Sequence, residues 1–461
     1  MKRNALLVAL ALFVVSVSFA GIENAKFRYG NNMRSFIIYT PENYDPSQKL
    51  PLVFNLHPFL SDKNFQLNYT QFNKLADSVG CIVVYPDGLN NRWNSGTLFD
   101  ANSKVNDVGF IGRLIDYMSI NYNIDETRVY STGYSAGGFM SYRLACEITN
   151  RIAAIAPVGS SMTFATFDNC NPSRSIPIML FNGTSDPVTV YNGFFDVKPI
   201  FQVVNLWKNL NNCSNSPVVE QLPNIVTNDN SRVIKETYNC ADNTELVQMK
   251  IQNGGHTWPG TTPFIFVLGN TNQDISANEE IWKFFSKYTI PQTVVCDKAS
   301  QLTSSVQVNT YNLSWNGDAN SYSLYYKNGN GEFFFIDNIS DNSYTLTSSS
   351  GIVEWAVAAV CESGHWAWAK STESALRKQA DNTLSFLAYP NPFTDRIALQ
   401  TSNKETLDGL TYTVFNFYDK RPLATGILQG DAPIINLNAL NKGFYFIEVE
   451  GFDTPVKINK F

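Results

Sequence analysis

Charge is scarce in this sequence: Asp, Glu, Lys and Arg make up only 16% of its 461 residues, against 44% hydrophobic. That balance excludes a disordered chain and points to globular domains with sizeable cores. A basic excess is missing too. With a net charge of −6 and a pI near 5.3, nothing suggests a surface for nucleic acid or anionic membrane. Long apolar runs are absent beyond Ala5–Val15, which is shorter than the ~20 residues that a span needs. Lying between Met1-Lys2-Arg3 and Ser18-Phe19-Ala20, that run reads as a secretory signal peptide over residues 1–20. A lipid anchor would need a cysteine just behind it, and the first is Cys81.

No CxxC or HExxH spacing occurs, so neither a metal site nor a cofactor is expected. Export makes the seven cysteines disulfide candidates, and the odd count leaves one over. Proximity within domains pairs Cys146 with Cys170, Cys213 with Cys240 and Cys296 with Cys361. Cys81 opens the strand-like run Cys81–Tyr85 and is expected as a small buried hydrophobe.

What is present is organised around Arg128–Met140, an apolar strand, a glycine-flanked serine and a helix start. Gly133-Tyr134-Ser135-Ala136-Gly137 is a G-x-S-x-G elbow, which lifts a serine hydroxyl out of a tight strand-to-helix turn. The helix behind it offers free N–H groups and a positive dipole end to a developing oxyanion. Apolar runs at Leu52–Leu56, Cys81–Tyr85, Ile152–Val158, Ile176–Phe181 and Leu246–Ile251 alternate with helical patterns at Phe65–Val79, Asp107–Met118, Val197–Leu210 and Asp274–Tyr288. Buried strands alternating with helices predict an α/β domain over residues 21–290, with a mostly parallel, doubly wound sheet. Beyond Val294 the helical patterns stop. Short alternating runs predict two small all-β domains, a β-sandwich over 294–370 and a final one over 384–461.

An activated serine needs a base, and the chain has three histidines. His57 precedes the serine and is expected to orient its loop, while His365 lies in the sandwich, a separate core. His256 follows the last strand in Asn253-Gly254-Gly255-His256, as the order Ser…Asp/Glu…His requires. The acid should end a strand between them, which selects Asp186 after Ile176–Phe181, with Asp196 as the alternative and Asp168 behind it. Oxyanion donors are expected from the N–H of Ala136 and, because proline has none, from Phe59 rather than Pro58. Trp93, Trp258 and Phe139 are the aromatics expected to meet a phenolic acyl group or a sugar.

Tyr85-Pro86-Asp87-Gly88, Asn106–Ile111, Gly133–Gly137, Asn182–Pro187 and Gly254–Gly260 together resemble the secreted polyhydroxybutyrate-depolymerase-like esterases. That group includes the carbohydrate esterase family 1 feruloyl and acetylxylan esterases. The resemblance covers residues ~25–290 and implies an α/β-hydrolase fold. It also implies ester hydrolysis by Ser135, Asp186 and His256 on a polysaccharide-linked ester. The chain departs from the family at Pro58, where glycine is usual, and at Asn182, where histidine is usual. Residues 294–370 resemble a fibronectin type III-like module. Tyr389–Phe393, Gly443–Phe446 and Lys457–Phe461 resemble the type A sorting domain of the type IX secretion system, which implies that machinery as a partner and a secreted or cell-surface location. A polyester depolymerase, a serine peptidase and a non-catalytic carbohydrate-binding or adhesive protein are the competing readings.

Overall fold

The computed structural model describes residues 21–96, 104–262, 266–291, 297–307, 309–361, 366–371, 386–401, 407–416, 421–430, 433–450, 452 and 455–460. The expected signal peptide, Cys296 and His365 lie outside the described residues. These residues divide into two compact units, one reaching Thr303 and including Leu313–Ser371, the other holding Ser304–Asn312 and the rest.

The first unit is built on ten strands: β1 Gly21–Tyr29, β2 Asn32–Thr40, β3 Leu50–Leu56, β4 Ile82–Pro86, β5 Ile124–Tyr134, β6 Ala154–Val158, β7 Ile178–Gly183, β8 Val218–Gln221, β9 Arg232–Asn239 and β10 Glu245–Gln252. They form one sheet ordered β1-β2-β4-β3-β5-β6-β7-β10-β9-β8. From β4 to β10 every neighbour pair is parallel, and the strands outside that span are antiparallel. The central strands are buried along their whole length, which is why Ile82–Pro86, Ala154–Val158 and Ile178–Gly183 carry almost no polar side chains.

Helices cover both faces, as two apolar clusters demand. Helices α1 Lys63–Thr70, α2 Phe72–Val79 and α7 Ala277–Phe285 lie on one face, with Phe72, Ala76, Ile281 and Phe284 in the core. On the other face lie α3 Asp107–Asn121, α4 Ala136–Glu147 and α6 Ile200–Leu210, through Ile111, Leu114, Met140, Leu144 and Trp207. A short α5 spans Phe164–Asp168. The doubly wound, mostly parallel sheet is thus as the periodicity predicts. The single helix expected over Phe65–Val79 is instead two, because Gln71 adopts a left-handed backbone (φ 51°) between α1 and α2. No helix of the described residues is long and apolar enough to cross a membrane.

Disulfides join Cys146 to Cys170 and Cys213 to Cys240, and Cys81 is free and fully buried. Cys361 is disulfide-bonded. Within the first unit, Tyr322–Asn328, Phe333–Ile339, Ile352–Val360 and Trp366–Lys370 form an antiparallel four-stranded sheet. The second unit contains another, from Thr411–Asn416, Pro422–Ile427, Gly443–Val449 and Val456–Lys460, together with a three-stranded sheet. All-β architecture after the α/β layer is therefore as expected.

Candidate active site

Ser135 stands between β5 and α4 with φ 53° and ψ −118°. A side chain held there stores strain of about 1–3 kcal/mol, which its surroundings must enforce. They do so by close backbone contact. A Cβ on Gly137 would collide with the Leu56 carbonyl, and one on Gly133 with the Gly137 backbone. The Ser135 N–H donates to the Val158 carbonyl at 2.9 Å, tying the elbow to β6. Its side chain makes no capping bond to α4, which leaves the hydroxyl for chemistry.

Asp186 and His256 meet at the same carboxyl edge. His256 Nδ1 lies 2.8 Å from Asp186 Oδ2, and both side chains are almost completely enclosed. The other carboxylate oxygen, Oδ1, accepts the N–H groups of Val188 (2.8 Å) and Thr189 (2.7 Å), so it is fixed from two sides. With Nδ1–H donating to the carboxylate, the ring nitrogen left to take a proton is Nε2. The two loops touch backbone to backbone: Thr184 N–H donates to Ile251 O and Ser185 N–H to Gly254 O, each at 2.9 Å. Any side chain at position 183 would strike the Gly254 carbonyl. Thr189 Oγ1 donates to Gly159 O at 3.0 Å, and Gly159 sits against both Tyr134 and the His256 ring. The elbow reaches the histidine loop directly, because Tyr134 donates its hydroxyl to the His256 carbonyl at 2.6 Å. Asp168, by contrast, turns outward and pairs with Lys198 Nζ at 3.4 Å.

Residues 34–237 match the family described as Esterase PHB depolymerase, and residues 387–461 match the secretion system C-terminal sorting domain. Among curated proteins the chain is 30% identical over 262 residues to the bifunctional acetylxylan esterase/xylanase XynS20E of Neocallimastix patriciarum, covering 56% of this chain and 34% of that protein. It is 28% identical over 241 residues to feruloyl esterase B of Piromyces equi, covering 48% and 42% respectively. Feruloyl esterase D of Neurospora crassa is 30% identical over 166 residues, covering 34% and 54%. The chain thus spans a third to about half the length of these relatives.

A second loop, His57–Ser61, follows β3 beside the elbow. His57 is wholly buried, its Nδ1 2.7 Å from Pro58 O and its Nε2 accepting the Gly88 N–H at 2.9 Å. These two bonds require Nδ1 to carry the proton, and burial pushes the ring below the usual histidine range, keeping it neutral. The loop-orienting part expected of His57 is the geometry found. Leu60 N–H donates to Asn91 O and Ser61 N–H to Pro58 O. Among the described residues, the N–H groups of Phe59 and Ala136 have no hydrogen-bond partner. The Phe59 ring is 41% exposed beneath the Arg92 guanidinium.

Two of the segments shared with the resembled family, Tyr85–Gly88 and Asn106–Ile111, brace the surroundings of this loop. Asp87 accepts Ser35 Oγ–H (2.7 Å) and the Lys63 N–H (2.8 Å), and pairs with Lys63 Nζ. Asp107 makes a buried pair with Arg34 at 2.6 Å and accepts the Asn94 N–H at 2.7 Å. Asn182 donates to Ser160 O at 2.8 Å, joining β7 to the segment after β6.

The three aromatics expected to meet substrate are buried side chains. Trp93 and Trp258 are 0% exposed and Phe139 is 6% exposed. Trp93 donates its indole N–H to His57 O at 2.9 Å, and Trp258 donates its own to Asn278 Oδ1 at 3.0 Å. The two indole rings are buried props beneath their loops. Tyr134, unmarked in the sequence because it fills the variable position of the elbow, is the contributor that sequence reasoning passes over.

Proposed function

We propose that the chain is an exported serine carboxylesterase that removes feruloyl or acetyl groups from plant polysaccharide. Ser135 is the nucleophile, His256 the base and Asp186 the group that orients it. The observation that carries this reading is the 2.8 Å bond between His256 Nδ1 and Asp186 Oδ2 at the sheet edge where the strained Ser135 stands. The names of the relatives support the substrate class, and the sorting domain supports export through the type IX machinery.

In the first half-reaction Ser135 Oγ attacks the ester carbonyl carbon while His256 Nε2 takes its proton. Negative charge gathers on the former carbonyl oxygen, which the Ala136 and Phe59 N–H groups stabilise. Asp186 holds the imidazolium without accepting its proton. Collapse breaks the bond to the sugar oxygen, and His256 returns the proton to that leaving group. Water, deprotonated by the same nitrogen, then attacks the acyl-serine; the bond to Ser135 Oγ breaks, Oγ takes the proton back from His256 Nε2, and the carboxylic acid leaves.

The test is the full chain against methyl ferulate, acetylated xylan, p-nitrophenyl acetate and poly-hydroxybutyrate film, beside Ser135→Ala. Release of ferulate or acetate is expected from the first three, with kcat of the variant down by about 10³-fold or more. Retention of even a tenth of the activity by the variant would remove Ser135 from the role. Attack on the film alone would transfer the reading to polyester hydrolysis.

A further inference from the structure

A groove of about 810 Å³ opens between α1–α2 on one side and residues 258–262 and 276–279 on the other. Its volume lies within the range of small-ligand sites. Phe65 and Tyr69, one helical turn apart on α1, stack with centroids 5.3 Å apart and planes 27° apart. Both are half-buried: they rest on the core beneath and leave surface to the groove. Around them Asn68 and Gln71 present exposed amides and Thr262 an exposed hydroxyl, while Lys74 and Glu279 stand at the rim with opposite charge. Gln71 holds the positive φ that separates the two helices, placing a strained residue on the wall.

The wall is joined to the proposed catalytic residues. The Tyr69 ring lies 5.4 Å from the ring of Tyr134, which immediately precedes Ser135. Its hydroxyl accepts the N–H of Trp258, two residues beyond His256, at 3.1 Å. What binds here must therefore suit aromatic faces and neutral hydrogen-bonding groups beside the scissile ester. Phosphate or a carboxylate would call for a single sign of charge, whereas Lys74 and Glu279 balance. An acyl tail would call for an unbroken apolar wall. A saccharide satisfies both conditions, setting a C–H face on the rings and hydroxyls on the amides.

We propose that this groove is a glycan subsite, which holds a neutral stretch of the polysaccharide while its ester is cleaved at Ser135. The proposal rests on the esterase reading above, and the two fail separately. The full chain carrying Ser135→Ala is titrated calorimetrically with unesterified xylohexaose. Saturable binding is expected, weakened about tenfold or more by Phe65→Ala and by Asn68→Ala. In the chain with Ser135 intact, the same substitutions should raise KM for esterified xylan about tenfold more than KM for p-nitrophenyl acetate. Asn68 is exposed, so its variant keeps the test open should Phe65→Ala unfold. Absence of binding at millimolar xylohexaose, or binding indifferent to both substitutions, overturns the subsite. Binding without hydrolysis of any ester keeps the subsite and overturns the esterase reading.

Discussion

At the scale of single residues, two side chains decide how the proposed base is presented. Tyr134 is 3% exposed, and burial keeps its phenol protonated. Its 2.6 Å bond to the His256 carbonyl joins the proposed nucleophile and the proposed base through one side chain. Its ring also lies 5.0 Å from the imidazole. Tyr134→Phe keeps the ring contact and loses only the bond, so kcat should fall about tenfold with KM within about twofold. A matching rise in KM would place the effect in binding instead.

His57 gives a second residue-scale prediction, through pH. Its folded pKa is depressed below the ordinary value of 6.5, chiefly by burial, although Pro58 O and the carboxylates of Asp87, Asp62 and Asp107 pull the other way. The unfolded chain therefore binds a proton that the folded chain refuses. The resulting stability is complete above the ordinary value and is lost as pH falls toward the depressed one. Protonation also turns Nε2 into a donor facing the Gly88 N–H, which breaks the loop's anchor. Between about pH 7 and pH 5, Tm of the native chain should drop more steeply than that of His57→Gln. Parallel curves would overturn this account. The positions of Ser135, Asp186 and His256 at strand ends were legible because chain order and strand ends are written in the sequence. Trp93 and Trp258 were not, since a loop's sequence does not say which way an aromatic ring turns.

At the scale of elements, the buried strands were legible and the polar ones were not. Strands β4, β6 and β7 are apolar throughout, whereas β8 is exposed at every residue and β1 at most, so neither carries a burial pattern to read. The break between α1 and α2 has no glycine or proline to announce it. Strand β9, also unmarked, pairs antiparallel with β10, which delivers His256. The Cys213–Cys240 bridge joins the end of α6 to the turn between these strands, across a separation of 27 residues. Chain entropy assigns such a bridge roughly 3.5 kcal/mol. The double variant Cys213→Ala/Cys240→Ala should lose thermal stability and kcat together, with KM changed less. Stability lost at unchanged kcat would show that the hairpin does not position the histidine loop.

At the scale of the molecule, the β strands within Leu313–Ser371 are packed into the first compact unit rather than tethered to it. The contact centres on α3. Phe335 lies 6.0 Å from Phe27, and Phe333 meets Tyr117 edge-on at 5.1 Å. Asp116, almost fully buried, accepts from Arg151 at 2.8 Å, Arg113 at 3.1 Å and the Trp368 indole at 3.3 Å, while Arg113 also pairs with Asp337. The sequence marked a change of composition at this border but gave no sign that α3 would also be buried on its outer side. Removing everything after residue 290 would uncover Phe27 and Tyr117, which are 1% and 5% exposed in the whole chain. Uncovering two large rings in part costs about 3 kcal/mol, which lowers Tm by roughly 6–12 °C in a domain of this size. The fragment 21–290 should accordingly melt lower than the full chain. Trp368→Ala in the full chain should reproduce a smaller part of that loss, because it removes one bond and one ring. Equal melting of fragment and full chain, measured by scanning calorimetry, would mean that the β strands add nothing to the stability of the α/β layer.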